Sequence, residues 1–424
     1  MLSMDKDSVA IIKTSPQFER TFDTNYKFRP KSGFYYLTGI EEPNTCAVLI
    51  PERPEGEYII FCKENDPLRA PWLGEFVGPN NAPATFNADQ AHSIDKIDEI
   101  LPELLFNKHK IYYDFDDEQI HKKIPEWIHP SRMKIRKGVI SAMHLQHIES
   151  ILQDIRLYKS KAELQLLQEA INITSKGIIR AIKSTHPGKY EYELEADLVY
   201  EFIQHGAEPS FHSMISAGVN RCLSHYKENN HHKINNGDIV IIDAGAEFQY
   251  YTSDLTRTFP ANGRFTDKQK KLYQLVLDIQ VELISMIKPG MTLGDLQAII
   301  PERITKGLLD IGVLSGDYSE LLNNKVYQSF FMHNIGHWLG LDVHDEASYG
   351  MPDKSWRELK PGMVMTVEPG IYIRSGTKGV DPSWWNIGAR IEDNILVTEK
   401  ACSVLSSALP KKIEEIESIM NQAG

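Results

Sequence analysis

In the first third of the chain, apolar residues come in short runs rich in β-branched and aromatic side chains. The runs are VAIIK (9–13), FYYLTGI (34–40), CAVLIPE (46–52), YIIFC (58–62) and KIYYDF (110–115), separated by Pro, Gly and Asn. Such runs predict strands. Between them, Ile94, Ile97, Ile100, Leu101 and Leu104 keep helical spacing and predict a helix over 93–107. The first part therefore reads as an α/β domain, assigned to residues 1–154.

The rhythm changes near residue 155. Ser160-Lys-Ala-Glu163 has the form of a capping box. Behind it Leu164, Leu167, Ile171, Ile178 and Ile182 trace one face of a long helix that ends at Pro187-Gly188. A second helix follows, with Leu194, Leu198, Phe202 and Ile203 on its apolar face, and stops at Gly206. The phrase then returns: an amphipathic helix over 267–287, Pro289-Gly290, and another helix through Leu296. Pro-Gly is common turn punctuation, so the pattern leaves duplication and coincidence both open.

Each half delivers charged residues from apolar, strand-like segments. DIVIIDAGAEFQYYTSDLTRTF (238–259) carries Asp243 and Asp254; MVMTVEPGIYI (363–373) carries Glu368; GARIEDNILVT (388–398) carries Glu392 within a strand. A carboxylate among Ile and Val is costly to bury without a cation or donors. The stretch MHNIGHWLGLDVHD (332–345) adds His333, His337 and His344. His333 and His337 are spaced like a helical zinc pair, but the Glu of HExxH is missing and the glycines oppose a regular helix. Any one of these residues alone reads equally as a cap, a turn residue or a hydrogen-bonded core histidine. Together, two Asp, two Glu and one His form a hard, oxygen-rich set suited to a pair of divalent ions such as manganese, cobalt or zinc. Two such ions roughly 3.5–4 Å apart can share a hydroxide and polarise a carbonyl.

Composition narrows the field further. With 46 basic and 58 acidic residues the net charge is −12, which disfavours nucleic acid and anionic membranes as partners. No apolar run has the length of a membrane span. The N-terminus lacks the basic segment and apolar core of a signal peptide. Cys46, Cys62, Cys222 and Cys402 are scattered without a CxxC, so a reducing cytoplasm is expected. Walker A, dinucleotide GxGxxG, GxSxG and HExxH motifs are absent.

In order, DAGAEFQYYTSD, HNIGHWLGLDVHD, VEPGIYI and RIEDN resemble the pita-bread metallopeptidase family, in particular its proline-specific aminopeptidase P branch. The resemblance extends to RLYKSKAEL (156–164), SHYKEN (224–229) and FYYLTGIEEP (34–43). It implies an α/β (α+β) protein: an N-terminal domain with a mixed sheet, and over 155–424 a catalytic domain of two pseudo-twofold helix–helix–strand halves. It implies that Asp243, Asp254, His337, Glu368 and Glu392 ligate two divalent ions, usually manganese, with Asp254 and Glu392 bridging. Glu368 would also act as general base towards the bridging hydroxide, and His225 and His344 would hold substrate and intermediate. His333, Tyr372 and Arg390 match positions near the family's pocket. Trp72, in RAPWLGEFVG, matches a loop tryptophan that reaches a neighbouring subunit, implying a homotetramer or homodimer.

Two departures stand out. Asn334 follows His333 where Gly is usual, and Ala389 precedes Arg390 where a larger aliphatic residue is common. Neither removes a ligand, and Asn can adopt the left-handed backbone that Gly supplies. The expected activity is removal of an N-terminal residue ahead of proline. The alternatives are a proline dipeptidase and, more remotely, a metal-free pita-bread protein that binds peptides.

Overall fold

The computed structural model describes residues 1, 3–68, 70–218 and 231–421. It divides into two compact units, Met1–Arg156 and Leu157–Gly424.

The N-terminal unit is built on a six-stranded mixed sheet. Its strands are β1 (Ser8–Lys13), β2 (Cys46–Leu49), β3 (Tyr58–Cys62), β4 (Gln90–Ser93), β5 (Lys110–Tyr113) and β6 (His144–His147), in the order β4-β3-β2-β1-β5-β6. β1 runs antiparallel to β2 and parallel to β5. The strands read as continuous apolar runs because both faces are covered. Val9, Ile11, Val48, Ile59 and Phe61 pack with Leu101 and with Ile124 and Trp127. Ala10, Ile12, Ala47, Ile60 and Tyr112 pack on the other side with Phe34 and Leu152.

One predicted strand is a helix. FYYLTGI lies mostly in α1 (Ser32–Thr38). Phe34 is buried and Leu37, one turn on, joins the same core, while Gly39 closes the helix at φ 65° with its N–H donating to Tyr35 O at 2.8 Å. The left-handed glycine cap decides the outcome against the strand propensity of the aromatic residues. The helix expected over 93–107 is shorter, α2 (Ile97–Leu104), preceded by a single tight turn at Ile94–Lys96.

In the second unit the recurring phrase is a real duplication. The helices α3 (Lys161–Ser184) and α4 (Glu191–Gln204) answer to α5 (Asp267–Met286) and α6 (Leu293–Asp310). α3, α5 and α6 open on a capping box, and at the start of α4 Tyr190 N–H donates to Glu193 Oε2 at 2.7 Å. Gly188 N–H donates to Ile234 O at 2.8 Å, and Gly290 N–H donates to Leu359 O at 3.0 Å. In each half the same turn is thus pinned to a segment that also bridges the start of the second helix, at Tyr190–Lys233 and Thr292–Glu358, which chance punctuation would not produce. On α3, Leu167, Ile171, Ile178 and Ile182 are buried, each burial contributing about 1.5–3 kcal/mol. Ile203, expected on the apolar face of α4, is exposed. It points about 100° around the helix from Phe202, off the buried stripe of Leu194, Leu198 and Phe202.

The first half continues as β7 (Met214–Ala217), β8 (Ile239–Ala244) and β9 (Leu255–Pro260), an antiparallel sheet in that order. The second supplies β10 (Val364–Val367), β11 (Gly370–Ile373), β12 (Ile387–Arg390), β13 (Asp393–Val397) and β14 (Cys402–Val404), with β10-β13-β14 forming one sheet and β11-β12 another. Glu392 lies in the two-residue break between β12 and β13, not within a strand. Among the described residues no helix is long and apolar enough to cross a membrane.

Candidate metal centre

The two halves meet through β9. Glu392 N–H donates to Thr256 O at 3.1 Å, and Arg390 N–H donates to Thr258 Oγ1 at 3.1 Å. This brings the strand ends together and gathers the acidic residues around one cavity of about 490 Å³. Asp243, on β8, pairs in register with Thr256. Asp254 immediately precedes β9, and Glu368 follows β10 with its N–H on Ile335 O at 2.8 Å. All five expected ligands line the cavity.

The cluster lacks enough positive charge of its own. Asp254 and Glu392 are 5% and 1% exposed. Both carboxyls are held well above the usual carboxylate range, first by burial and then by the neighbouring carboxylates. Burial likewise pushes Glu368 up to about 7, against the pull of His337 and Arg390. Among the described residues Asp243 Oδ1 and Asp254 Oδ1 are buried without a hydrogen-bond partner. Asp254, His337 and Glu392 each bring a ligand atom within 4.8 Å of the others. Orphaned, mutually repelling oxygens beside an imidazole are what a divalent cation would satisfy, and the residues fit one.

His337 is preset for this position. Its Nδ1 lies 3.0 Å from Trp338 O. A carbonyl only accepts, so Nδ1 carries the proton and Nε2 turns its lone pair inward, 3.3 Å from Asp254 Oδ2 and 3.7 Å from Glu368 Oε1. The ring of His344 meets that of His337 edge-on at 4.2 Å. Gly336 also serves the packing of this loop. A methyl on Gly336 would collide with the Thr366 carbonyl, so the loop lies directly on β10. Asn334 does not use the left-handed backbone offered as its reason for replacing Gly; it is not among the positive-φ residues.

Arg390 ties the remaining candidates together. Its guanidinium donates to Asp243 Oδ2, to Tyr372 OH at 2.8 Å and to Thr256 Oγ1 at 3.1 Å. Tyr372 OH in turn lies 3.0 Å from His333 Nε2, and burial pushes the phenol up to about 12. His333 thus sits at the end of a relay from Asp243. His225 falls outside the described residues. Trp72 belongs to the N-terminal unit, on the short helix Ala70–Leu73, with its side chain 89% exposed.

Other wall residues went unforeseen: Leu293, Gln297, Tyr349 and Trp356. They come from the start of α6 and from an irregular loop, where no spacing rule marks them. Thr256, whose hydroxyl donates to Glu392 Oε2 at 2.7 Å, was legible in principle. It lies two residues after Asp254, on the same side of an alternating strand.

Comparison with known proteins fits this geometry. Residues 165–399 match the model for metallopeptidase family M24, and residues 1–112 match that for the aminopeptidase P N-terminal domain. A Xaa-Pro aminopeptidase of Haemophilus influenzae is 39% identical over 419 residues, covering 99% of this chain and 94% of that protein. A Xaa-Pro aminopeptidase of Escherichia coli is 36% identical, covering 98% and 94%. Among solved structures, Pseudomonas aeruginosa aminopeptidase PepP superposes with a TM-score of 0.96 at 41% identity, covering 100% of this chain and 96% of that one. A variant of Escherichia coli aminopeptidase P in complex with substrate gives 0.94 at 34%, covering 99% and 95%.

Proposed function

The chain belongs to metallopeptidase family M24, and on that premise we propose that it removes the N-terminal residue from peptides with proline in second position. It is a hydrolase of the pita-bread fold, depends on divalent metal and acts on peptides. The observation that carries the reading is the buried cluster of Asp254, His337 and Glu392 with its unsatisfied carboxylate oxygens.

Asp243, Asp254, His337, Glu368 and Glu392 would hold two divalent ions, with the buried carboxylates of Asp254 and Glu392 at the heart of the set. Manganese is the first choice; cobalt and zinc suit the same donors. When bound, the ions supply Lewis acidity, acidifying a water and polarising the scissile carbonyl. The chain's own groups do the rest. Glu368 is the general base that accepts the proton of the attacking water. The Trp338 carbonyl keeps His337 in one tautomer. Arg390 offsets the charge of Asp243 and fixes its direction. His344, with His225, holds the substrate. A proline amide has no N–H and a fixed φ, so a cavity shaped for the ring selects substrates that general peptidases handle poorly.

Length preference turns on how the end of the substrate beyond proline is held. A dipeptidase needs a clamp for the carboxylate after proline, and Arg serves best. Among the described residues Arg390 is the one Arg or Lys lining the cavity, and its donors are already engaged. Arg374 is exposed and outside the lining. The likeness to Xaa-Pro aminopeptidases favours an aminopeptidase for longer chains. The reading includes a homotetramer or homodimer, with Trp72 reaching a neighbour. It also includes a reducing, cytoplasmic setting, supported by the buried free thiols of Cys46 and Cys62.

The test is kcat/KM for Xaa-Pro, Xaa-Pro-Yaa and a tetrapeptide sharing the first two residues, with and without chelator. Cleavage of the longer peptides, lost on chelation and restored by manganese or cobalt, is expected. A clear preference for the dipeptide would make this a proline dipeptidase; full activity in metal-free protein would overturn the metal assignment.

A further inference from the structure

The cavity continues past the carboxylates. One wall is made by Leu293, Tyr349 and Trp356. Trp356 also lines an adjoining surface depression of about 690 Å³, where it and the Met351–Pro352 edge form the apolar part of a rim otherwise made of polar and charged residues such as Asp295 and Arg357. It stands where the two spaces join, and its side chain is 53% exposed.

This indole is held in place. Gly350 and Trp356 face each other across a tight hairpin, in which Met351 N–H donates to Ser355 O and Arg357 N–H to Tyr349 O, both at 2.8 Å. The five-membered ring rests on the first turn of α6. A methyl built on Gly294 would fall 2.6 Å from the indole Nε1. At the base of the hairpin Tyr349 stacks on Trp338 at 5.3 Å with an 8° tilt. Trp338 is the residue whose carbonyl sets His337, so the exposed ring and the ligand cluster share one rigid support.

An exopeptidase that removes a single residue needs space for one residue on one side of the scissile bond. The rest of the peptide must leave on the other. A depression that continues the site and opens to the surface is therefore available to the leaving side. We infer that Trp356, with Leu293 and the Met351–Pro352 edge, forms a subsite for the side chain of the third substrate residue, favouring aromatic and large apolar groups there. The inference rests on the proposed exopeptidase activity. Aromatic packing of this kind corresponds to about a 2- to 10-fold preference.

The experiment uses the full chain loaded with manganese and measures kcat/KM for Ala-Pro-Phe, Ala-Pro-Leu and Ala-Pro-Gly. A second set varies the first residue. Wild type is expected to favour Phe over Gly at the third position. Trp356→Ala should bring that ratio close to one, and Trp356→Phe should retain most of it. Gly294→Ala, which displaces the ring from its seat, should reduce it. Thermal melts confirm that each variant is folded. Equal rates for Phe and Gly in wild type, a ratio that survives Trp356→Ala, or a change confined to first-residue preference would overturn the subsite alone. Failure of wild type to cleave any Xaa-Pro peptide would overturn the underlying activity with it.

Discussion

Lys159 Nζ lies 2.9 Å from Asp345 Oδ2, and the two side chains are 1% and 3% exposed. The pair joins the start of the catalytic unit to the far end of the histidine loop. Asp345 N–H donates at 3.0 Å to Trp338 O, the same carbonyl that orients His337. Removing one partner strands the other charge in a dry site. Asp345→Ala and Lys159→Met should each cost about 3–5 kcal/mol, while the double change to Leu and Met should recover much of it. Chemical denaturation of the three variants measures this. Single variants within about 1 kcal/mol of wild type would refute the idea that the pair secures the loop.

Without metal, the carboxylate cluster should make the protein less stable as pH rises. Asp254, Glu392 and Glu368 all titrate higher in the folded state than carboxyls ordinarily do. Between the ordinary carboxylate range, about 4, and these raised values, the folded chain binds more protons than the unfolded one, so stability falls with increasing pH. Chelated protein should melt about 5 °C or more higher near pH 5 than near pH 8. Metal-loaded protein should lack this decline and release protons on loading. A chelated melting temperature that is flat or rising across that window would contradict the expectation.

Glu368→Gln keeps the shape of the side chain and removes its proton-accepting charge. Turnover should drop by about 10²–10⁴. The chelated variant should melt higher than chelated wild type at neutral pH, because one of the crowded negative charges is gone. Near-normal turnover in a metal-loaded variant would be fatal to the assigned role.

The exposed Trp72, with Leu68 nearby at 87% exposure, should report on assembly. Large apolar side chains this exposed mark interaction surfaces when they cluster. Trp72→Glu should shift the mass measured by light scattering towards the monomer and lower specific activity in parallel. A wild type that is monomeric and fully active at every concentration would remove the basis for a shared site.

Much of this was written in the chain because single residues carried it. The capping box at Ser160 and the Pro-Gly turns announce the helices, and carboxylates set among Ile and Val announce the cluster. Charge that is expensive to bury is conspicuous in sequence. What stayed hidden depended on tertiary neighbours. FYYLTGI has the composition of a strand, and only the left-handed Gly39 and the one-sided burial of Phe34 make it a helix. The duplication became certain only through the paired hydrogen bonds of Gly188 and Gly290. Trp356 and Gln297 reach the cavity from a hairpin and a helix start, and nothing in their own neighbourhood signals where they point.

The division of the proposed ligands between the two halves has a temporal consequence. Asp243 and Asp254 lie in the first half; His337, Glu368 and Glu392 lie in the second, and 136 residues separate Thr256 from the Glu392 that it holds. A chain emerging from the ribosome carries the first two carboxylates long before the others exist. It gains a complete set only when nearly its last strand has been made. On the proposed ligand set, cutting power is withheld from every partial product of synthesis, and a chain truncated before Glu392 should be inert towards the peptides around it.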